Sequence, residues 1–295
     1  MNFRLSWNKL FILVAFLPTM ALGQGLDIYP LWQHDKGTYR IKLSEWWFVS
    51  DSHFDHEGHV IDNFVEYGHY ATQMDLEFGL SDRLTARLSF PFLNYLYTQL
   101  PASLQKRSAW KTGDADVGAS YKVIFNNTLQ MRVALTLGLP LGYNEQEAIK
   151  SGDGEFNQVL QVELGHNGTM WQRTSWWGLH AGWNNRNEGF ATEFVYGGEA
   201  GIEVVKDKLN ISVRVNGIDP IGKVNISPIV EESLYSNLRK LIALTPEVSF
   251  QINPLLGVKI SQQIPLAGRN IFFNPIFAVG VEYQKKIGRS ESLSE

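Results

Sequence analysis

The sequence predicts an all-β protein, a transmembrane antiparallel up-and-down β-barrel of about 12 strands. Beyond residue 37, hydrophobic and polar residues alternate along most of the chain, and a period of two is typical of strands. Many of these segments run to about 10 residues, the length with which a tilted strand crosses a bilayer. Long and short connections also alternate, as they do in outer-membrane barrels. These three observations together favour a barrel wall over a soluble fold.

The N-terminal residues predict a secretory signal. Arg4 and Lys9 are basic, residues 10–17 are apolar but too few to span a bilayer, and small residues follow, so we expect cleavage just before Gln24. We expect four regions: a signal peptide at 1–23, a periplasmic segment at 24–37, the barrel at 38–284 and a C-terminal tail at 285–295.

The composition excludes several classes of protein. The 295 residues are 44% hydrophobic with no cysteine, and the mean hydropathy is -0.15, which fits neither a disordered chain nor a helical membrane protein. Removal of the signal takes away Arg4 and Lys9 and leaves 24 basic residues against 30 acidic ones, which argues against a nucleic-acid partner. An exported chain without disulfides must be stabilised by a core or by lipid.

The first predicted strands show the pattern clearly. Tyr39, Ile41 and Leu43 form one face of the first strand, opposite Arg40 and Lys42. The second and third strands, at 70–80 and 84–92, alternate in the same way and are joined by a tight polar turn, which predicts a hairpin.

The remaining nine strands continue this pattern. Polar turns at 126–128, 206–208 and 253–254 join three further hairpins. The predicted strands cover 115–123, 129–139, 160–164, 177–183, 196–204, 209–215, 244–252, 256–260 and 273–283. About 20 residues or more follow strands 1, 3, 5 and 9, about 12 follow strand 7, and most other links are short. A link at 165–176 is longer than this alternation predicts, and one near 267–270 is shorter.

The direction of the two faces follows from their charges. A soluble sandwich would place the polar face in water, whereas an Arg or Lys facing the middle of a bilayer would cost about 2–4 kcal/mol. We therefore expect the charged face to point into the lumen. The candidate pore-lining residues are Asp75, Glu77, Arg87, Asp114, Asp116, Lys122, Arg132, Glu163, His180, Glu199, Glu203, Arg214, Glu247 and Lys259.

Aromatic residues cluster near the strand ends, where amphipathic rings prefer the level of the lipid headgroups. We therefore expect them to form two interfacial girdles. The set is Trp46, Trp47, Phe48, Tyr95, Tyr97, Trp176, Trp177, Trp183, Tyr196, Phe272, Phe273 and Tyr283.

Several segments occur in an order that resembles the outer-membrane barrels of the phenol meta-degradation pathway transporter family. They are Phe78-Gly-Leu-Ser-Asp-Arg-Leu-Thr85, Thr112-Gly-Asp-Ala-Asp-Val-Gly118, Leu137-Gly-Leu-Pro-Leu-Gly142, Gly152-Asp-Gly-Glu-Phe156 and Ala181-Gly-Trp-Asn-Asn185. The resemblance covers residues 70–205, about half of the mature chain. It implies a barrel that moves small, often apolar compounds across the outer membrane.

Two other segments contain residues typical of chemical sites. The first long loop carries His53, His56 and His59 among carboxylates, which are ligand types for Zn²⁺, although a mobile, solvated polar loop is the favoured explanation. His166-Asn167-Gly168 has a weak likeness to a lipase site, but no serine adjoins it and the strand count places it on the periplasmic side. We expect no catalytic residue, no cofactor and no specific metal site.

The sequence therefore predicts an integral outer-membrane barrel with periplasmic termini, which acts as a passive channel or uptake porin for a small molecule. The resemblance implies that this molecule is of an apolar or aromatic kind. The alternative is an occluded barrel with a structural or surface-interaction role. The loop at 217–240 is a candidate for folding into the mouth. The expected partners are outer-membrane lipid and lipopolysaccharide, the barrel assembly machinery and a small-molecule solute.

Overall fold

The structure is a computed structural model that describes residues 35–99, 106–126, 128–142, 149, 151–187, 189–222 and 236–287. The predicted signal peptide and residues 288–295 of the predicted tail lie outside this part of the chain. No helix among the described residues is long and apolar enough to cross a membrane.

The described chain consists of strands and their connections. In chain order, the strands are β1 (Thr38–Phe54), β2 (Val60–Gly79), β3 (Leu84–Gln99), β4 (Lys106–Lys111), β5 (Ala115–Phe125), β6 (Leu129–Leu139), β7 (Asn157–Met170), β8 (Arg173–Asn185), β9 (Thr192–Val205), β10 (Leu209–Ile221), β11 (Lys240–Asn253), β12 (Leu256–Arg269), β13 (Ile271–Phe272) and β14 (Ile276–Lys286).

These fourteen segments occupy twelve positions in the wall. β4 and β5 both pair with β3, β4 along its upper half and β5 along its lower half, and the Gly113 backbone N–H bonds Pro91 O at 2.7 Å between them. β13 and β14 likewise both pair with β1. Each of these pairs of segments is one interrupted strand, so the barrel has the twelve antiparallel strands that the sequence predicts.

The sheet closes on itself. Every wall strand is antiparallel to its neighbours in the chain, from β1–β2 round to β12–β14. The last strand meets the first at Thr38↔Lys286, and β13 meets the other end of β1 at His53↔Phe272. Closure leaves no free sheet edge, which is the condition for a sheet that lies in hydrocarbon.

The strands are longer than the hydrophobic alternation predicts. The expected long first loop is mostly strand, and only residues 55–59 connect β1 to β2. The link at 165–176 is also strand except for the two-residue turn Trp171-Gln172, with Met170 paired to Arg173. The expected lengths were wrong because hydrogen bonding between strands continues beyond the lipid, where side chains no longer need to alternate.

The outer face of the wall is apolar and the inner face is charged. Leu135, Leu160 and Ile260 point outward and are 48%, 55% and 59% exposed, whereas Glu163 and Arg132 point inward and are 0% and 5% exposed. A soluble protein would have the opposite arrangement, with its polar face in water and its apolar face in the core. A contiguous exposed apolar surface is typical of a membrane contact. The charged face of the wall points inward.

Part of the predicted aromatic girdle lies inside the barrel. Trp46 and Phe48 share the inner face of β1 and pack in a buried cluster with Phe272. Trp176 is also buried, and its indole Nε1 donates to Glu199 at 3.0 Å. Trp177 and Trp183, on the outer parity of β8, are exposed as expected. Adjacent aromatic residues in a strand point to opposite faces, so they cannot all belong to one girdle.

Candidate functional site

The lumen contains a cavity of 290 Å³ whose wall is built from inward-facing side chains. Its lining comes from every wall strand except β8 and β9, and from connections at Asp114, Ser151, Asp153 and Arg239. Strand alternation positions the strand side chains, since every second residue of each strand faces inward. The cavity is therefore bounded by most of the barrel wall.

Eight of the fourteen candidate pore-lining residues border this cavity. They are Asp75, Glu77, Arg87, Asp114, Asp116, Arg214, Glu247 and Lys259. Five others are buried inside the barrel but do not border the cavity: Lys122, Arg132, Glu163, His180 and Glu199. Glu203 lies at the periplasmic end of β9, where it accepts from Thr174 Oγ1 at 3.1 Å. The structure thus groups most of the candidates in one space and separates Glu203 from it.

Cross-strand ion pairs bridge the closing strands of the barrel. Arg40 lies 2.7 Å from Glu77 on β2 and 3.4 Å from Glu282 on β14. Glu282 also contacts Lys259 on β12 at 2.8 Å. This chain of alternating charge connects four wall strands, so these inward charges are neutralised locally.

A second group of ion pairs spans a wider part of the lumen. Arg87 on β3 reaches Glu163 on β7 at 3.6 Å, although β5 and β6 lie between them in the wall. Gly118 on β5 is the direct cross-strand partner of Arg87 and, having no side chain, leaves room for the arginine. Arg132 on β6 also pairs with Glu163. The contact between Arg87 and Glu163 makes a chord across the lumen that narrows it.

The end of the lumen opposite the described chain ends, which the sequence predicts to be extracellular, holds a buried ionic network around Arg186. Its guanidinium group donates to Asp153 at 2.9 Å and to Glu193 at 2.8 Å, and it packs over the ring of Phe190. Arg239 pairs with the same Glu193 at 2.8 Å. The network joins connections that follow β6, β8 and β10, and it ties them together over the cavity.

The segment formed by Ile149 and residues 151–155 is fixed inside the mouth by hydrogen bonds to the wall. Asp114 accepts from the backbone N–H groups of Gly142 and Asp153 at 2.8 and 2.9 Å. Ser151 donates to Thr112 O at 2.6 Å, and Lys111 Nζ contacts Ile149 O. A loop that folds into the mouth was expected, but at 217–240. Residues 223–235 of that loop lie outside the described chain, and its described end supplies Arg239.

Sequence reasoning missed most of this extracellular network. Arg186 and Asp153 lie in connections, where no periodicity indicates the direction of a side chain. Glu193 lies in β9 on the same parity as Glu199, three residues before the start of the predicted strand, so a longer strand would have found it. Glu282, in contrast, already lies on the polar face of the last predicted strand.

The histidine-rich first connection is an ordered hairpin and not the mobile loop that was expected. Asp55 Oδ1 accepts from the backbone N–H groups of Glu57, Gly58 and His59 at 2.7 to 2.9 Å. Burial acts to raise the pKa of Asp55, but these bonds and His59 hold it below its ordinary value. His53 is buried in β1, away from the exposed His56 and His59. Among the described residues, no cluster of three or more His, Asp or Glu side chains has the geometry to hold a metal ion.

The two other candidate histidines, His180 and His166, each contact a residue of the barrel wall. His180 faces inward and pairs across the strands with Glu163. His166 stacks on Trp177 at 5.8 Å, on the outer wall near the Trp171-Gln172 turn. This is the end of the barrel at which Thr38 meets Lys286, and the sequence predicts it to be periplasmic, away from the outer leaflet on which a surface lipase would act.

Comparison with known proteins gives a structural match without a sequence match. No protein-family model and no curated protein matches the chain. An outer membrane channel from Pseudomonas putida F1 superposes with a TM-score of 0.62 at 14% identity, over 90% of this chain and 100% of that chain. Two porins are also similar. The NanC porin has a TM-score of 0.48 at 8% identity, over 82% of this chain and 98% of that chain. The KdgM porin has a TM-score of 0.47 at 9% identity, over 83% of this chain and 98% of that chain. The chain therefore has the fold of an outer-membrane channel barrel, and its apolar outer wall makes it an integral protein of that membrane.

Proposed function

We propose that the protein is a passive outer-membrane channel for a small solute. The observation that carries this proposal is the polar cavity of 290 Å³ enclosed by a complete barrel wall. This volume is at the small end of the range for ligand sites, so a permeating molecule must be small. Fixed charges of both signs line the cavity, which is how channels discriminate among solutes.

The ionic network supports a second candidate function, that of an occluded barrel. Arg186 and its partners close the extracellular side over the cavity, and the chord from Arg87 to Glu163 narrows the lumen below. An occluded barrel with a structural or surface-interaction role would need such a closure permanently. A gated channel would need it only in one state.

Conductance separates the two functions. Refolded protein in a planar bilayer should give discrete current steps, and liposomes that contain it should release a small entrapped solute such as glycerol. The matched control is the same protein heat-denatured before addition, which should give neither. Absence of current and of solute release from barrels that migrate as folded in detergent gels would overturn the channel proposal.

We further propose that the solute is of the small, apolar or aromatic kind moved by the phenol meta-degradation transporters. The order of the shared segments over residues 70–205 supports this relationship. Growth on phenol, cresols and unrelated carbon sources, with the gene deleted and restored, tests it. A defect confined to the aromatic substrates is the expected result, and equal growth of all strains would contradict it.

Assembly and partners follow from the proposed location. The barrel assembly machinery would insert the chain, and lipopolysaccharide would surround its outer-leaflet wall. The net negative charge of the chain argues against a nucleic-acid partner. We propose a non-enzymatic role, because the inward-facing charges described above are engaged in ion pairs and hydrogen bonds within the barrel.

A further inference from the structure

Charged residues of the inner face lie opposite one another on neighbouring strands. Arg40 pairs with Glu77 across β1 and β2, with 2.7 Å between the guanidinium and the carboxylate. Lys42 pairs with Asp75 in the same hairpin at 3.1 Å. The same arrangement recurs at two further places in the wall, where the cross-strand pairs are Arg132 with Glu163 and Arg214 with Glu199. The register therefore gives each of these charges a counter-charge from the barrel itself.

Gln161 lies on the inner face of β7, between two cross-strand partners that have no polar side chain. These partners are Ala134 on β6 and Gly182 on β8. Gln161 is 2% exposed and borders the cavity, and within the described part of the chain neither atom of its amide group has a hydrogen-bond partner. A buried polar group without a partner costs free energy, so the stability of the barrel does not account for a glutamine here.

Asn216 and Trp46 have the same kind of surroundings. Asn216 on β10 pairs with Gly197 on β9 and Ala243 on β11, and its Oδ1 is buried with no hydrogen-bond partner among the described residues. Trp46 on β1 pairs with Ala71 on β2, and its indole Nε1 is likewise buried and has no partner in that part of the chain. Both residues border the cavity. Small residues beside them thus leave these polar atoms available to a molecule in the cavity.

These polar atoms select the chemistry of a bound molecule. An indole N–H donates and an amide group both donates and accepts, so together they match hydroxyl groups, which also do both. For an ion, the counter-charges described above are already engaged in cross-strand pairs, so the loss of its hydration shell would not be compensated. Trp46 belongs to the same buried cluster as Ile276, and both border the cavity, which gives an apolar body a matching surface.

We propose that the cavity binds a small uncharged molecule with hydroxyl groups on an apolar body, and that Trp46, Gln161 and Asn216 hold it. This assignment rests on the proposed channel function and names the class of solute that the channel would serve. β1 and β7 lie five positions apart in the wall of twelve strands, so Trp46 and Gln161 reach the cavity from nearly opposite sides.

Three ligands of the same size test the selection against charge. They are 4-hydroxybenzyl alcohol, which is uncharged, 4-hydroxybenzoate, which is an anion, and 4-hydroxybenzylamine, which is a cation at neutral pH. Isothermal titration calorimetry of the folded barrel in detergent measures binding, and a titration into detergent alone is subtracted. We expect saturable binding of one alcohol per barrel and about tenfold weaker binding of both ions.

Substitutions test the three residues. Gln161→Leu, Asn216→Leu and Trp46→Phe each remove the hydrogen-bonding atoms at similar size, and each should weaken binding of the alcohol severalfold. The matched control is Gln130→Leu, a buried inner-face glutamine on β6 that does not border the cavity, which should leave binding unchanged. Gln161→Leu should not lower the midpoint temperature of heat-modifiable migration, because it removes an unpaired buried polar group.

The outcomes separate this binding site from the channel function. Equal binding of the alcohol and the two ions, or current and solute release without saturable binding of the alcohol, would overturn the binding site and leave the channel in place. Saturable, charge-selective binding in a barrel that gives neither current nor release would support the site and contradict the channel. Loss of binding in Gln161→Leu together with a lower midpoint temperature would show that Gln161 supports the fold, which would overturn its assignment.

Discussion

Arg186 is the residue on which the extracellular closure depends most. Its side chain is fully buried between Asp153 and Glu193, and removal of one member of a buried ion pair leaves an uncompensated charge at a cost of about 3–5 kcal/mol. Arg239 still neutralises Glu193, so the uncompensated charge falls chiefly on Asp153.

We therefore expect Arg186→Met to lower the midpoint temperature at which the barrel loses its folded migration in detergent gels, and to increase single-channel current. The control is Arg173→Met, at the exposed periplasmic start of β8, which should leave both unchanged. Equal behaviour of the two variants would show that Arg186 does not hold the closure.

The same residues show what the sequence could and could not predict. Asp75, Glu77 and Arg87 were assigned to the lumen because strand alternation fixes the direction of every second side chain. No comparable rule applies to Arg186 or Asp153, whose positions depend on how distant connections fold together. The parity that Trp46 shares with Lys42 indicates an inward side chain, whereas its proximity to other aromatic residues indicates a girdle, and the structure agrees with the parity.

At the scale of elements, the β7–β8 hairpin contains an unfavourable turn. Trp171 and Gln172 have φ values of 52° and 61°, in the left-handed region that favours glycine and that costs other residues about 1–2 kcal/mol each. Two-residue hairpin turns of this kind prefer glycine at the second position.

Gln172→Gly should therefore stabilise the barrel by about 1 kcal/mol, measured as a rise in the midpoint temperature of heat-modifiable migration. Gln158→Gly, in the regular part of β7, is the matched control and should destabilise by about 0.5–1 kcal/mol. If both substitutions destabilise, the turn does not have this strained conformation.

The connection between β6 and β7 is a second element with a specific role, since Asp114 holds it against the inner wall. Asp114→Ala removes the acceptor for two backbone N–H groups, each worth about 1–3 kcal/mol when left buried and unpaired. We expect the segment formed by Ile149 and residues 151–155 to detach and the mean conductance to rise.

The control for this variant is Asp55→Ala. Asp55 also accepts backbone N–H groups at the extracellular side, but in the β1–β2 hairpin and not in the lumen. Its loss should leave the conductance unchanged. An Asp114→Ala barrel with wild-type conductance would show that the segment does not limit flow.

For the whole molecule, the balance of charge around the cavity determines ion selectivity. Six acidic side chains border the cavity (Asp75, Glu77, Asp114, Asp116, Asp153 and Glu247), as do six basic ones (Arg40, Lys42, Arg87, Arg214, Arg239 and Lys259). Equal numbers predict weak discrimination between K⁺ and Cl⁻ in the unmodified protein, which a reversal potential under a KCl gradient measures.

Neutralising one charge should shift this balance in a direction set by the charges that remain. Arg214 lies between Glu199 at 3.0 Å and Glu247 at 3.8 Å, so Arg214→Gln leaves two carboxylates facing one another and should favour K⁺. One charge close to a permeating ion in water is worth about 1 kcal/mol, or about a fivefold change in relative permeability. Glu247→Gln should shift the reversal potential the opposite way, and Lys206→Gln, in the periplasmic turn after β9, should leave it in place. If Arg214→Gln and Glu247→Gln shift it in the same direction, the ions do not pass this part of the lumen.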